Sequence, residues 1–222
     1  MSRVLISLRK GEEVKYLSHL DFMRAFEYAL RRAGLPVLFS EGFNPRPRMS
    51  FASALGVGVT SDDEQIILEL TSAVDPSEVM EKLNAKLPKG MQILSAEVVR
   101  EGVKSPISGL NATRYRITAE CPQECDAAAV RGAAEKLLAS DKIRVLRERE
   151  GRTKEIDIRP FILSVDSISS EDHRVIIEVS LESGSSGGAR PQDFMQALGD
   201  LLPGLKTCHI HKLKHFHKPV AA

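Results

Sequence analysis

The segment Asn44-Pro45-Arg46-Pro47-Arg48 sets two arginines among prolines. Each proline fixes its own φ and drives the preceding residue to extended geometry. Arg46 and Arg48 stand two apart on extended backbone, so they are expected to point the same way. That makes a preorganised anion fork with little ordering entropy left to lose on binding. A rigid connector with incidental arginines would read the same way. A second cationic set lies upstream: Arg24, Tyr28, Arg31 and Arg32 on the polar side of an amphipathic segment. It suits RNA phosphates with one aromatic for stacking. It also suits a solvated polar face, with Glu27 four residues before Arg31 as an ion-pair partner.

Further candidates follow along the chain. Residues 183–188 are Gly- and Ser-rich and precede Arg190-Pro191 at the start of a helix, where free N–H groups and Arg190 can take an anion. No Gly-Lys-Ser/Thr follows, so the loop is not a Walker A motif, and a plain connection has the same composition. The segment Lys206–Lys218 carries Lys206, Lys212, Lys214, Lys218, His209, His211, His215 and His217, and no acid. On one strand the four histidines would share a face and Lys212 and Lys214 the other. A basic strand suits an RNA backbone or a solvated sheet edge. Histidines at alternate positions are ~7 Å apart, awkward for one ion, so no metal is assigned.

His19, beside Tyr16 and Lys15, has the types for a general acid with a cation steadying phosphorane charge. A capping or packing histidine is the alternative, and no catalytic residue is assigned. Asp62-Asp63-Glu64 reads as a solvated acidic turn. Cys121, Cys125 and Cys208 form neither a four-ligand metal set nor a CxxxCxxC cluster signature, and are expected to be ordinary thiols.

These residues need a frame to position them. Ser18 and Asp21 have capping-box spacing. Leu20, Met23, Phe26, Leu30 and Ala33 recur at helical intervals to Gly34-Leu35-Pro36, predicting a helix over 18–33. Strands are expected at Val4–Leu8, Met49–Phe51, Gln65–Leu70 and Met91–Val98, with a second helix from Asp75-Pro76 to Leu87. The second half repeats the order. Strands are expected at Arg114–Glu120, Ile143–Arg149, Ile156–Val165, Arg174–Leu181 and Thr207–Phe216, with helices at Asp126–Ser140 and Pro191–Leu201. The predicted fold is α+β: two tandem ferredoxin-like βαββαβ units, the second with an extra strand. Their boundaries are 1–101 and 114–222, with a linker over 102–113.

At 222 residues the chain can bury a sizeable core, and its net charge of +1 means that nucleic-acid binding must come from local patches. No cleavable apolar leader or membrane-length run is present, so a cytoplasmic protein is expected, not one embedded in a membrane.

Several stretches resemble one bacterial family, the radical-SAM-linked proteins of unknown function. They are Tyr16-Leu-Ser-His-Leu-Asp21, Ala29-Leu-Arg-Arg-Ala-Gly-Leu-Pro36, Ser40-Glu-Gly-Phe-Asn-Pro45, Met49-Ser-Phe-Ala52, Glu155-Ile-Asp-Ile-Arg-Pro160 and Arg190-Pro-Gln-Asp193. The resemblance implies a protein encoded beside or fused to a radical-SAM enzyme, often near ribonuclease and ribosomal-protein genes. This chain departs from the family at Arg46, where a His is common. The expected function is a non-catalytic accessory protein, without cofactor, that binds RNA (tRNA or rRNA) for a partner radical-SAM modification enzyme. The alternatives are a metal-independent ribonuclease using His19, and a pure protein-docking module for the enzyme. Tandem ferredoxin-like CRISPR RNA endonucleases are similar in element order, which motivates the first alternative.

Overall fold

Val4, Ile6 and Leu8 alternate with more exposed residues, as a strand with one buried face requires. This strand, β1 (Ser2–Lys10), starts the first of two compact units, Met1–Leu110 and Asn111–Ala222. The structure, a computed structural model, describes residues 1–121, 126–149, 151–171, 174–184 and 187–218.

The first unit continues with α1 (His19–Ala33), β2 (Met49–Phe51), β3 (Val59–Leu70), α2 (Pro76–Asn84) and β4 (Met91–Val99). Its strands pair antiparallel in the order β4-β1-β3-β2. Phe22, Phe26 and Leu30 of α1 and Val79 and Leu83 of α2 share one core with Val4, Ile6 and Leu8 of β1 and Ile66, Leu68 and Leu70 of β3. Ser18 caps α1 by accepting the Asp21 N–H at 3.2 Å, and Asp75 caps α2 with Pro76 in the first turn. Gly34 ends α1 at φ 64°, a left-handed conformation that costs a residue with a Cβ.

The buried stripe of α1 is rotated from the expected one. Phe22, Phe26, Ala29, Leu30 and Ala33 are buried, whereas Leu20 is exposed. The larger Phe22 takes the place in the first turn and meets Phe51 edge-on, ring centroids 6.4 Å apart. The acidic run is corrected too. Asp62, Asp63 and Glu64 lie inside β3, and Glu64 continues the inward row of Ile66, Leu68 and Leu70.

The second unit has β5 (Ala112–Glu120), α3 (Ala127–Ala139), β6 (Arg144–Arg149), β7 (Arg152–Asp157), β8 (Ile162–Glu171), β9 (Arg174–Gly184), β10 (Gly187–Gly188), α4 (Pro191–Leu201) and β11 (Lys206–Phe216). Its sheet runs β8-β9-β5-β11 antiparallel, with β10 pairing the last residues of β9. β6 and β7 form a separate hairpin, so the unit holds more than one extra strand. The expected strand Ile156–Val165 is split because Arg159–Phe161 forms a 3-10 turn, closed by the Phe161 N–H donating to the Ile158 carbonyl. β5 begins at Ala112, inside the segment expected to link the halves.

The described fold is therefore mixed α+β with antiparallel pairing inside each unit and four α-helices. Among the described residues, no helix is long and apolar enough to cross a membrane. Cys121 is disulfide-bonded, not the free thiol expected; Cys208 is free and exposed, and Cys125 lies outside the described residues.

Candidate nucleic-acid interface

After Gly34 the chain doubles back over the end of α1. The Leu38 N–H donates to the Glu69 carbonyl at 2.9 Å, and the Arg48 N–H to the Leu38 carbonyl at 2.7 Å. The Ser40 N–H donates to the Arg46 carbonyl at 2.8 Å, and the Ser40 Oγ accepts the Arg46 N–H at 3.0 Å. Residues 38–48 thus close a small hairpin onto β3. Pro47 is buried while Arg46 and Arg48 on either side are exposed, as extended alternation requires.

Two arginines of α1 tie this hairpin and the segment after α2 to the helix end. Arg31 donates from Nη2 to the Pro45 carbonyl at 3.0 Å, and its guanidinium lies 5.2 Å from the Phe39 ring centroid. Arg32 donates from Nη2 to the Lys86 carbonyl at 2.9 Å. Between them, Ala25, Tyr28, Arg31, Arg32 and Pro88 line a shallow cavity of about 350 Å³. Tyr28 is exposed. Arg31 and the Arg46 loop therefore lie on one side of the unit. Among the described residues Arg31 makes no ion pair with Glu27, the partner its spacing suggested.

The partners sort these cations. Arg24 faces Asp21 at 3.3 Å and Arg48 faces Glu69 at 3.7 Å, so a carboxylate offsets each charge. Arg31 and Arg32 are oriented by neutral carbonyls and keep their full charge. Holding a guanidinium in place without neutralising it is what a phosphate site needs.

Arg190 does not belong to an anion site. Its Nη2 donates to Asp193 Oδ1 at 2.8 Å, and its backbone N–H donates to Asp193 Oδ2 at 2.8 Å. Arg147 Nη2 donates to the same buried carboxylate. The start of α4 is thus satisfied by its own acid, where the Gly-rich sequence suggested a free anion cradle; Ser185 and Ser186 lie outside the described residues. Gly188 has a packing reason instead: a Cβ there would stand 2.7 Å from the Glu182 carbonyl oxygen.

β11 corrects the C-terminal set. Its register against β5 shifts between Lys212 and Lys214, a bulge that reverses the alternation. Ile210, Lys212 and His215 form the buried row, and Lys214 stays exposed. Lys212, 1 % exposed, offers no phosphate contact, and Lys212 and Lys214 share no face. The four histidines do not line up either: His209 and His211 stack at 6.1 Å, while His215 points inward. Among the described residues, no group of three or more His, Cys, Asp or Glu is arranged to hold a metal ion.

His19, Tyr16 and Lys15 do not assemble for acid catalysis. Burial pushes the His19 pKa below its ordinary value, with nearby Lys10 adding to the effect and Glu64 opposing it. Its ring packs edge-on against Phe51, centroids 5.5 Å apart. Lys15 pairs with Glu12 at 2.7 Å, and the hydrogen bond to Glu12 raises its pKa. A neutral histidine and a neutralised lysine are poorly suited to protonate a leaving group and steady a phosphorane.

Two residues escaped the sequence reading. Lys10 is 1 % exposed, donates from Nζ to the Leu17 carbonyl at 3.1 Å and lies 5.6 Å from the Phe22 ring centroid. Burial pushes its pKa down, against the pull of Glu64. The signal was present: Lys10 is the next member of the inward row Val4, Ile6, Leu8. Phe43 is the other, fully exposed on the 38–48 hairpin, where no hydrophobic period marks it.

A model of bacterial proteins described as "Uncharacterized protein conserved in bacteria (DUF2344)" matches residues 3–191. The chain belongs to this family. A comparison with proteins of curated function finds no match. Among solved structures, the DUF2344 chain is similar to a chain of a Cbf5-Nop10-Gar1 complex, with 9 % identity and a TM-score of 0.54 over 97 % of its length and 50 % of that chain. A chain of an archaeal box H/ACA sRNP Nop10-Cbf5 complex matches at 11 % identity and TM-score 0.52, covering 96 % and 47 %. A chain of an H/ACA RNP bound to a substrate RNA containing 2'-deoxyuridine matches at 10 % identity and TM-score 0.50, covering 97 % and 49 %. The chain thus spans about half the length of these neighbours, and at such identities the likeness is one of fold.

Proposed function

We propose that this DUF2344 protein is a cytoplasmic, non-catalytic accessory protein that binds RNA, tRNA or rRNA, for a partner radical-SAM modification enzyme. The observation that carries the RNA reading is the pair Arg31 and Arg32, anchored on carbonyls rather than carboxylates beside exposed Tyr28. Arg46 and Arg48 extend that surface, and Arg24 flanks it along α1. Lys214 is a separate cation of the second unit. The fold likeness to a chain of an RNP bound to substrate RNA supports the same reading. The enzyme partnership rests on the family resemblance of the motifs quoted above. In our reading the units are tandem ferredoxin-like folds, a reading supported by the orders β4-β1-β3-β2 and β8-β9-β5-β11.

The test is anisotropy of labelled tRNA and rRNA fragments across a salt series, for the parent and for Arg46→Ala with Arg48→Ala. With Glu69 offsetting Arg48, the loss in the double variant comes from Arg46, and one phosphate contact of a single strand should reduce the log–log salt slope by about 0.7. Its melting transition should stay within about 0.5 kcal/mol, because the prolines set the loop. Unchanged affinity and slope would remove the loop from the interface. Intact RNA binding with lost association to the radical-SAM enzyme would turn the surface into a protein-docking site.

A further inference from the structure

Phe43 is 106 % exposed, the highest value among the large apolar side chains of the described residues. An aromatic ring held wholly in water forfeits the burial that makes aromatics dominate cores. It follows Gly42, whose φ of 118° turns the hairpin backbone in a way that L side chains resist. Two residues on, the Pro45 carbonyl accepts the Arg31 guanidinium at 3.0 Å. Arg31 in turn lines the shallow cavity with Tyr28, itself 63 % exposed, one helical turn away. The helix thus carries exposed Tyr28 with Arg31 and Arg32, and the loop that Arg31 ties to it through the Pro45 carbonyl carries exposed Phe43 and Arg46.

Charge and shape together select the ligand. Aromatic faces bind bases only when the bases are unstacked, while cationic groups follow the backbone between them. A duplex keeps its base faces inside and offers only phosphates. We propose that this surface takes unpaired nucleotides, with Phe43 and Tyr28 as stacking platforms for two separate bases and Arg31, Arg32 and Arg46 on the phosphates between them. The proposal rests on the RNA-binding reading above and names the form of RNA recognised.

The probe is a fluorescein-labelled oligouridylate of about ten nucleotides, single-stranded or annealed to oligoadenylate, titrated with the full chain. The parent should bind the single strand at least about 10-fold more tightly than the duplex. Phe43→Ala and Tyr28→Ala should each weaken single-strand binding roughly 5- to 150-fold, which is 1–3 kcal/mol per base at 1.4 kcal/mol per decade. Duplex binding should move by no more than about 2-fold, because phosphate contacts dominate it. Phe43→Tyr should keep the affinity of the parent. Both rings are exposed, so these variants should fold, and thermal melting checks it. Equal affinity for the two forms would overturn the stacking proposal. So would Phe43→Ala binding like the parent while the Arg46/Arg48 double variant is weakened, and RNA binding would then still stand. No binding of either form by the parent would overturn both. Phe43→Ala losing the partner enzyme but not the oligonucleotide would make Phe43 a protein anchor.

Discussion

Asp193→Ala should destabilise the second unit more than any surface substitution. The carboxylate is 2 % exposed and accepts from both Arg190 and Arg147, and the Arg190 backbone N–H completes the cap of α4. Arg147 is itself largely buried, its side chain 28 % exposed, so truncating Asp193 strands a cation and uncaps the helix. Removing one partner of a buried pair costs about 3–5 kcal/mol. At about 4–8 °C per kcal/mol for a domain of this size, the transition should fall by at least about 12 °C. Arg190→Ala should cost much less, about 1 kcal/mol, because its side chain is half exposed. Scanning calorimetry across pH adds a second reading. Burial pushes the Asp193 pKa up, but the hydrogen bonds from Arg190 and Arg147 outweigh it and hold it below the ordinary 3.8. The unfolded chain therefore takes up the proton first as pH falls. The contribution is full above about the ordinary carboxylate value and is lost as pH drops through the lower folded value. The gap between parent and Asp193→Ala should close in acid. A loss under about 1 kcal/mol, or a gap independent of pH, would refute the claim that Asp193 is a buried, ionised clamp.

The start of α1 gives two further expectations. Ser18→Ala removes the acceptor for the Asp21 N–H and should cost about 1 kcal/mol in urea unfolding, with RNA affinity unchanged. His19 has a folded pKa lowered by burial from 6.5, so parent stability should decline as pH falls from that value toward the folded one, and His19→Phe should remove this decline. The isolated parent should also leave RNA intact in EDTA; cleavage at a defined site that vanishes in His19→Ala would restore the ribonuclease reading.

Local sequence signals suffice where local physics decides the outcome. Ser18, Gly34, Asp75 and Pro76 fix helix ends through caps and backbone conformation, and α4 runs from Pro191 to Leu201 as its pattern predicts. Failures arose where tertiary packing or pairing intervened. Leu20 and Phe22 both fit a helical stripe, and only the sheet beneath chooses the larger ring. The bulges in β11 belong to its register against β5, which no feature of Lys206–Phe216 announces; Lys212 lies in the inward row with Ile210, and the shift after it leaves Lys214 outside. Glu64 and Lys10 extend apolar rows at one end of their strands, where a rule that sorts charge to the surface misplaces both.

The proposed interface is partly legible for the same reason. Residue type announces a cation, but its effective charge depends on a partner the sequence does not name. Arg24 and Arg31 look equivalent on one helix face, yet one meets Asp21 and the other the Pro45 carbonyl. Arg32 finds its carbonyl on Lys86, 54 residues away, and no local pattern reaches so far. Arg190 fails as an anion ligand because Asp193 stands three residues on, a spacing visible in the sequence but masked by the Gly-rich stretch before it. The distinction has a direct electrostatic consequence. A guanidinium ordered by a carbonyl has already lost much of its rotamer freedom while presenting a whole positive charge. One ordered by a carboxylate is equally rigid and nearly neutral at a distance. Only the first kind adds to counterion release when a phosphate arrives. The proposed surface is therefore strongest around Arg31 and Arg32, whose carbonyl partners stand at residues 45 and 86.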